Sequence, residues 1–123
     1  MQYLCLCHYD AAQFATLGPR DFEAIGAICA PHDLALKESG HLTAVGSLAM
    51  PDQSRTLRAG PDGVTVSDGP YAETNEPFGA FFLIEAESLD EATEIARLHP
   101  GTHLGAHMRG GIEIRPIEHL EGL

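Results

Sequence analysis

The sequence is poor in basic residues, in cysteines and in long apolar runs, and each scarcity excludes a class of protein. Only 7 Lys and Arg accompany 18 Asp and Glu, which gives a net charge of −11. Such a surface repels the phosphates of nucleic acids and of anionic membranes, because no stretch gathers basic residues into a patch. We therefore expect no nucleic-acid partner and no membrane partner.

The three cysteines, Cys5, Cys7 and Cys29, show no disulfide framework. Cys5 and Cys7 are two residues apart on an apparent strand, where their side chains point the same way but sit too far apart to bond comfortably. We expect buried, inert thiols in a reducing compartment. The N-terminus has no charged region followed by an apolar run, so we expect no signal peptide or membrane span and a cytoplasmic protein.

What is present is a globular composition, with 44% hydrophobic residues in 123. This length is typical of one domain, which we place at 1–123, and it can bury enough surface to fold without a disulfide or metal.

Apolar runs and turn residues predict five strand regions. The hairpin is marked by Pro61-Asp62-Gly63, a standard turn composition, and the final strand alternates apolar and polar residues. The predicted strand regions are 3–7, 41–48, the 55–58 and 64–66 hairpin, 79–86 and 112–116.

Two helices are predicted between these strands. The first has an apolar stripe from Phe22 to Leu36, contains Pro31, and is expected to be kinked or to consist of two pieces. The second begins at the capping box formed by Ser88 and Glu91. Residues 11–20 are expected to form a connector.

This order predicts an α+β ferredoxin-like sandwich, with an antiparallel sheet, two helices on one face and an inserted hairpin. The strands at 3–7 and 81–84 carry apolar residues at successive positions, so both faces of the sheet are apolar. The helices can cover only one face. A second copy of the sheet is the simplest cover for the other, so we expect a homodimer.

The chain resembles the YCII-related family, in particular the branch named for a DGPF motif, which here reads Asp68-Gly69-Pro70-Tyr71. Further resemblance lies at 3–6, 39–42, 79–84 and 112–116, and it spans nearly the whole chain. It implies a dimeric α/β-barrel with a cleft between helix and sheet in each subunit.

The functions that this resemblance implies are diverse. Most members of the branch have no established activity, some are encoded beside or fused to extracytoplasmic-function sigma factors, and a few wider relatives act on chlorinated aromatic breakdown products. A His–Asp pair is proposed as catalytic in the wider family, with its histidine early in the first helix. That stretch, 23–28, has no histidine here and His32 lies later, so the pair is not carried over.

Candidate chemistry gathers around the motif. Asp68 or Glu73 could act as a general acid or base, with Tyr71 and Thr74 contacting a ligand. In the structural interpretation, Asp68 instead bonds the backbone of its own turn and Gly69 supplies unusual dihedral angles. Glu73 and Thr74 have no such local role and are the better functional candidates.

Histidines supply further candidates. His8, at the end of the first strand, and His41, after the first helix, could each transfer a proton, although His8 could equally pair with a surface carboxylate and His41 could interact with the helix end. His99, His103 and His107 have a spacing that suits zinc on a helix, but Pro100-Gly101 breaks that helix. We therefore predict no metal and no cofactor.

The leading hypothesis is that the chain binds a small organic molecule in a cleft of a homodimer and performs cofactor-independent acid–base chemistry with Glu73, His8, Asp68 and His41. The alternative is a non-catalytic binding or regulatory module that works with an extracytoplasmic-function sigma factor.

Overall fold

The structure, a computed structural model, describes residues 1–122. Six strands and three α-helices follow one another, with 3₁₀ turns at Pro51–Gln53 and Pro100–His103. The strands are β1 (Gln2–Tyr9), β2 (Leu42–Ser47), β3 (Arg55–Gly60), β4 (Gly63–Asp68), β5 (Phe78–Glu85) and β6 (Gly110–Pro116). The helices are α1 (Ala11–Phe14), α2 (Pro19–Glu38) and α3 (Leu89–Ala96). Within residues 1–122, no helix has the length and apolarity needed to cross a bilayer.

Four strands form one antiparallel sheet in the order β2-β5-β1-β6. The strands β1 and β2 are therefore separated by β5, which is the split arrangement of a ferredoxin-like sandwich. Strands β3 and β4 form a separate hairpin between β2 and β5, with Gly60 opposite Gly63 across the turn. The predicted fold class and the inserted hairpin are confirmed.

The core lies between the sheet and α3. Tyr3 and Cys5 of β1 face the same way as Ile84 and Phe82, their partners on β5, and all four are buried. Helix α3 adds three buried residues, Ala92, Ile95 and Ala96. Its start is fixed by the predicted cap, because the Ser88 hydroxyl accepts a hydrogen bond from the Glu91 N–H at 3.1 Å.

Helix α2 packs less closely than α3. It is continuous through Pro31, so the expectation of two pieces is wrong. Neighbouring turns sustain the helix, although proline cannot donate to the carbonyl four residues earlier. Leu36 is its one buried residue, whereas Ile25, Ile28 and Cys29 are only half-buried.

The expected connector at 11–20 also contains the short helix α1. Its formation follows from Asp10, whose side chain accepts from the Gln13 N–H at 3.0 Å and caps the turn.

The opposite face of the sheet carries an apolar patch that no helix of residues 1–122 covers. Leu4 pairs with Leu83 and Leu6 with Phe81, so their side chains lie side by side on this face, and all four are half-buried. We call these four residues the open-face patch.

Candidate functional site

A cleft of about 370 Å³ opens between α2 and the end of the sheet that holds Cys7. This volume is in the range of small-molecule sites in proteins. Most lining residues are apolar or glycine, and the polar ones are few. Its lining includes Cys7, His8, Tyr9, Phe14, Cys29, Leu48, Met50, Ala80, His99, Leu104, Met108 and Arg109.

His99 lies in this cleft in a fixed orientation. Its ring stacks on Phe82, with centroids 4.6 Å apart and planes 3° from parallel. The Gly101 N–H donates to His99 Nδ1 at 2.9 Å, so Nδ1 is an acceptor and the proton of the neutral ring lies on Nε2. Nε2 lies 3.8 Å from Cys7 Sγ. The cleft is thus lined by an imidazole N–H beside a thiol.

Burial keeps both members of this pair neutral. It lowers the pKa of His99, although the Asp33 carboxylate opposes the shift. It raises the pKa of Cys7 to about 11. A thiolate–imidazolium pair would require the opposite shifts, so Cys7 is not an activated nucleophile. Burial also raises the pKa of Cys5 to about 12, and Cys5 is buried as expected, whereas Cys7 is only half-buried.

Cys29 also lines the cleft. Burial, and then the charge of Asp33, raises the pKa of its thiol. Cys29 was expected to pack in the core as part of the apolar stripe of the helix. It also lines the cleft, so packing does not describe its position completely.

Arg109 lies at the rim of the same cleft and is paired with Asp10. Its Nε and Nη2 groups donate to Asp10 Oδ2 at 3.2 and 2.9 Å. The Asp10 side chain is itself held by the Gln13 N–H, which together with Arg109 lowers the pKa of that carboxyl.

Three of the predicted site residues line a different recess, of about 750 Å³, on the other side of the segment 48–50. These are Tyr71, Glu73 and Thr74. The Tyr71 ring lies 4.0 Å from the Arg58 guanidinium, which also donates to the Tyr71 carbonyl. Thr74 Oγ1 accepts from the Glu76 N–H at 3.1 Å, so this residue does have a local turn contact.

The Asp68 segment closes the base of the hairpin. Gly69 has a φ of +105°, a conformation that favours glycine, and its N–H donates to the Ser54 carbonyl at 2.7 Å. The Thr56 hydroxyl donates to the Gly69 carbonyl at 2.8 Å. The Asp68 carboxylate accepts from Arg55 Nε at 3.1 Å rather than from its own turn. These contacts support a structural role for the motif, with a different partner for Asp68.

The predicted histidines lie at opposite ends of the sheet. His8 Nδ1 donates to the Glu76 carbonyl at 2.9 Å, and His41 Nδ1 donates to the Glu85 carbonyl at 2.9 Å. His8 pairs with Phe78 and the residue after His41 pairs with Ile84, six positions along β5. The two are therefore roughly 20 Å apart. Asp68, Glu73, His8 and His41 do not form one catalytic group in this structure.

Two of the three spaced histidines have different surroundings. His99 lies under Phe82, whereas His103 stacks on His32 at 3.6 Å and contacts the Arg97 carbonyl at 2.9 Å. Over residues 1–122, no three His, Cys, Asp or Glu side chains are grouped in a way that could hold a metal ion.

Comparison with known proteins identifies the family of this chain. The YCII-related domain matches residues 1–120. The chain belongs to the YCII-related family. A relative in Rhizobium meliloti (strain 1021), "Uncharacterized protein R00369", is 31% identical over 121 residues, which cover 95% of this chain and 92% of that protein.

One solved structure resembles this chain over most of its length. It is 5-chloro-2-hydroxyhydroquinone dehydrochlorinase (TftG) from Burkholderia phenoliruptrix, in complex with 2,5-dihydroxybenzoquinone. It is 21% identical, with a TM-score of 0.48 over 97% of this chain and 95% of that one. Nothing about the activity of this YCII-related protein follows from that likeness.

Sequence reasoning did not place Cys7, His99 and Arg109 of this YCII-related protein in one cleft. The break at Pro100-Gly101 indicates that His99 does not share a helix face with His103 and His107, but no spacing relates His99 to Cys7. Arg109 is one of few basic residues in an acidic chain and is followed by Gly110-Gly111. That isolated charge in a glycine-rich segment could have identified it.

Proposed function

We propose that this YCII-related protein binds a small organic molecule in the cleft between α2 and the sheet. The observation that carries the proposal is the cleft itself, about 370 Å³ of largely apolar lining with the His99 Nε2–H and the Cys7 thiol on its wall. Apolar sites with a few placed polar groups are typical of small-molecule binding. A flat apolar body would fit beside the His99 ring, which lines the cleft.

The two neutral donors suggest what the ligand presents to them. A protonated thiol and an imidazole N–H can both donate to one oxygen, such as a carbonyl or a phenol. A ligand oxygen would replace the weak 3.8 Å contact between His99 and Cys7. Donation of this kind stabilises negative charge on the oxygen without a cofactor, and His99 would supply it as a neutral donor.

The test compares the two candidate locations. We would purify the wild type, His99→Phe and Glu73→Gln, identify co-purifying small molecules by mass spectrometry, and measure the affinity of the recovered molecule by calorimetry. We expect His99→Phe, which keeps an aromatic ring but removes the donor, to weaken binding by about tenfold or more. Glu73→Gln should bind as the wild type does, because Glu73 lines the other recess. Loss of binding in Glu73→Gln alone would instead favour the site predicted from the sequence.

We also propose that two copies pair through the open-face patch. Its four apolar side chains lie on the sheet face opposite the helices. The chain exposes 8417 Å² of surface. A globular monomer of 13.2 kDa should expose roughly 6,400 Å², so the surplus supports burial against a second copy.

Sedimentation equilibrium at micromolar concentration tests the pairing. We expect twice the 13.2 kDa chain mass for the wild type and a single chain for Leu6→Glu, which places a charge in the patch. Leu34→Glu is the matched control, because Leu34 is 55% exposed on the outer side of α2. A wild type that sediments as a single chain would refute the dimer.

Finer placement within the family is also proposed. The Asp68-Gly69-Pro70-Tyr71 segment, with Gly69 in its left-handed conformation at the hairpin base, supports membership of the DGPF branch. The three cysteines are free thiols, which supports a reducing compartment such as the cytoplasm.

A further inference from the structure

Arg109 is the only Arg, Lys, Asp or Glu side chain among the described residues that line the cleft. The chain has 18 acidic residues and only 7 Lys and Arg. In so acidic a chain, a charged side chain that lines a cleft is more often a carboxylate than a guanidinium. The sign of this charge therefore indicates which ligands the cleft accepts.

Hydrogen bonds to neighbouring residues hold the Arg109 guanidinium in one orientation. Asp10 accepts from Nε and Nη2, and the Arg109 backbone N–H donates to Gln13 Oε1 at 2.6 Å. Gln13 in turn donates to the His107 carbonyl at 3.3 Å, which fixes the loop before Arg109. A guanidinium has five N–H donors, so three remain after the two bonds to Asp10. Those donors match a carboxylate in geometry and in charge.

From this arrangement we infer that the ligand of the cleft is an organic anion whose carboxylate is bound by Arg109 at the rim. The inference rests on the proposed function of the cleft. The neutral pair of His99 and Cys7 lies on one part of the lining and the cation on another, with apolar residues such as Leu104 and Met108 also in the wall. The ligand class is therefore a small, flat carboxylic acid that carries a second oxygen acceptor.

The experiment uses matched probes of nearly the same size and shape, of which one set is anionic and the other neutral. The probes are 3- and 4-acetylbenzoate and the corresponding primary amides, with affinities measured by ligand-observed NMR titration on the full chain. The acetyl oxygen supplies the acceptor and the carboxylate supplies the anion. The wild type should prefer the carboxylates over the amides by about fivefold, and the preference should shrink in 0.5 M salt because the site is at the rim.

Two arginine variants then test whether Arg109 causes the preference for carboxylates. Arg109→Met removes the rim cation and leaves the Asp10 carboxylate without its partner, so it should bring the preference to about one or below. Arg97→Met is the matched control, because Arg97 is 67% exposed against 70% for Arg109 and is also paired with a carboxylate, that of Glu94. It lies outside the cleft lining and should keep the wild-type preference.

The outcomes separate this inference from the proposed function. Equal binding of carboxylates and amides by the wild type would overturn the role of Arg109 and leave the binding cleft intact. Equal loss of preference in Arg97→Met and Arg109→Met would overturn it too, because the effect would then come from net charge. Failure of all four probes to bind would contradict the proposed function itself.

Discussion

The two longer helices, α2 and α3, lie on the same face of one sheet but differ in how much of each is buried against it. Helix α3 has 8 residues, of which Ala92, Ile95 and Ala96 are buried. Helix α2 has 20 residues, and only Leu36 is buried. The small side chains of Ala92 and Ala96 allow α3 to approach the sheet closely, whereas half-buried Ile25 and Ile28 leave α2 less tightly packed.

This difference explains where the cleft lies. The 3₁₀ turn Pro100–His103, which follows α3, is the element that α2 mainly contacts. Because that turn lies against α2, space remains between the helix and the Cys7 end of the sheet, and His99 lines it. The tightly packed helix contributes most to the core, and the loosely packed helix contributes Cys29 to the lining of the cleft.

Matched isoleucine truncations test this contrast most directly. Ile95→Ala in α3 should lower the free energy of unfolding by about 3 kcal/mol, since it leaves a cavity in the core. Ile28→Ala in α2 should lower it by about 1 kcal/mol, because the side chain is only half-buried and water can fill the space. Urea unfolding monitored by circular dichroism measures both. Equal losses would mean that α2 is packed as firmly as α3.

A proline exchange tests whether α2 is also weakened from within. Pro31→Ala restores a helical N–H and should raise the free energy of unfolding by about 2 kcal/mol. Pro19→Ala is the control, because Pro19 occupies the first turn, where the missing N–H has no partner in any case. Both changes affect the unfolded chain alike. If the two variants were equally stable, Pro31 would not weaken α2.

The part of the fold that the sequence predicts is the part fixed by local chemistry. The apolar run Phe81–Ile84 specified a strand with two apolar faces, and Ser88 with Glu91 specified the start of α3. The Pro61-Asp62-Gly63 turn specified the hairpin. In each case the residues that determine the structure are within a few positions of one another.

The site depends on contacts between distant residues and was predicted less well. The Cys7–His99 contact joins residues 92 positions apart, and the Arg109–Asp10 pair joins residues 99 apart. No spacing rule relates such positions, because helix packing and strand order bring them together. The sequence predicts that Glu73 and His8 act together in one cleft, whereas Glu73 lines one recess and His8 lines the cleft, with the segment 48–50 in the wall of both.

The smallest expected effect concerns the pH dependence that His99 gives to the fold. Burial lowers the pKa of His99 in the folded protein, whereas an unfolded histidine titrates near about 6.5. The unfolded chain therefore binds the proton more tightly, so the stability linked to neutral His99 is complete above about pH 6.5 and is lost as the pH falls toward the lowered folded value. One group can contribute at most about 1.4 kcal/mol per pH unit in that window.

Urea unfolding at pH 7.5, 6.5 and 5.5 measures this dependence. His99→Asn can still accept from the Gly101 N–H but cannot titrate, so its stability should fall less between pH 7.5 and 5.5 than that of the wild type. His119→Asn is the control, since the His119 side chain is 81% exposed and its removal should leave the wild-type slope. The slope, rather than the absolute stability, isolates protonation from the loss of stacking on Phe82. A wild-type slope in His99→Asn would show that His99 is not a buried neutral group, and the α2 side of the cleft would then be open to water.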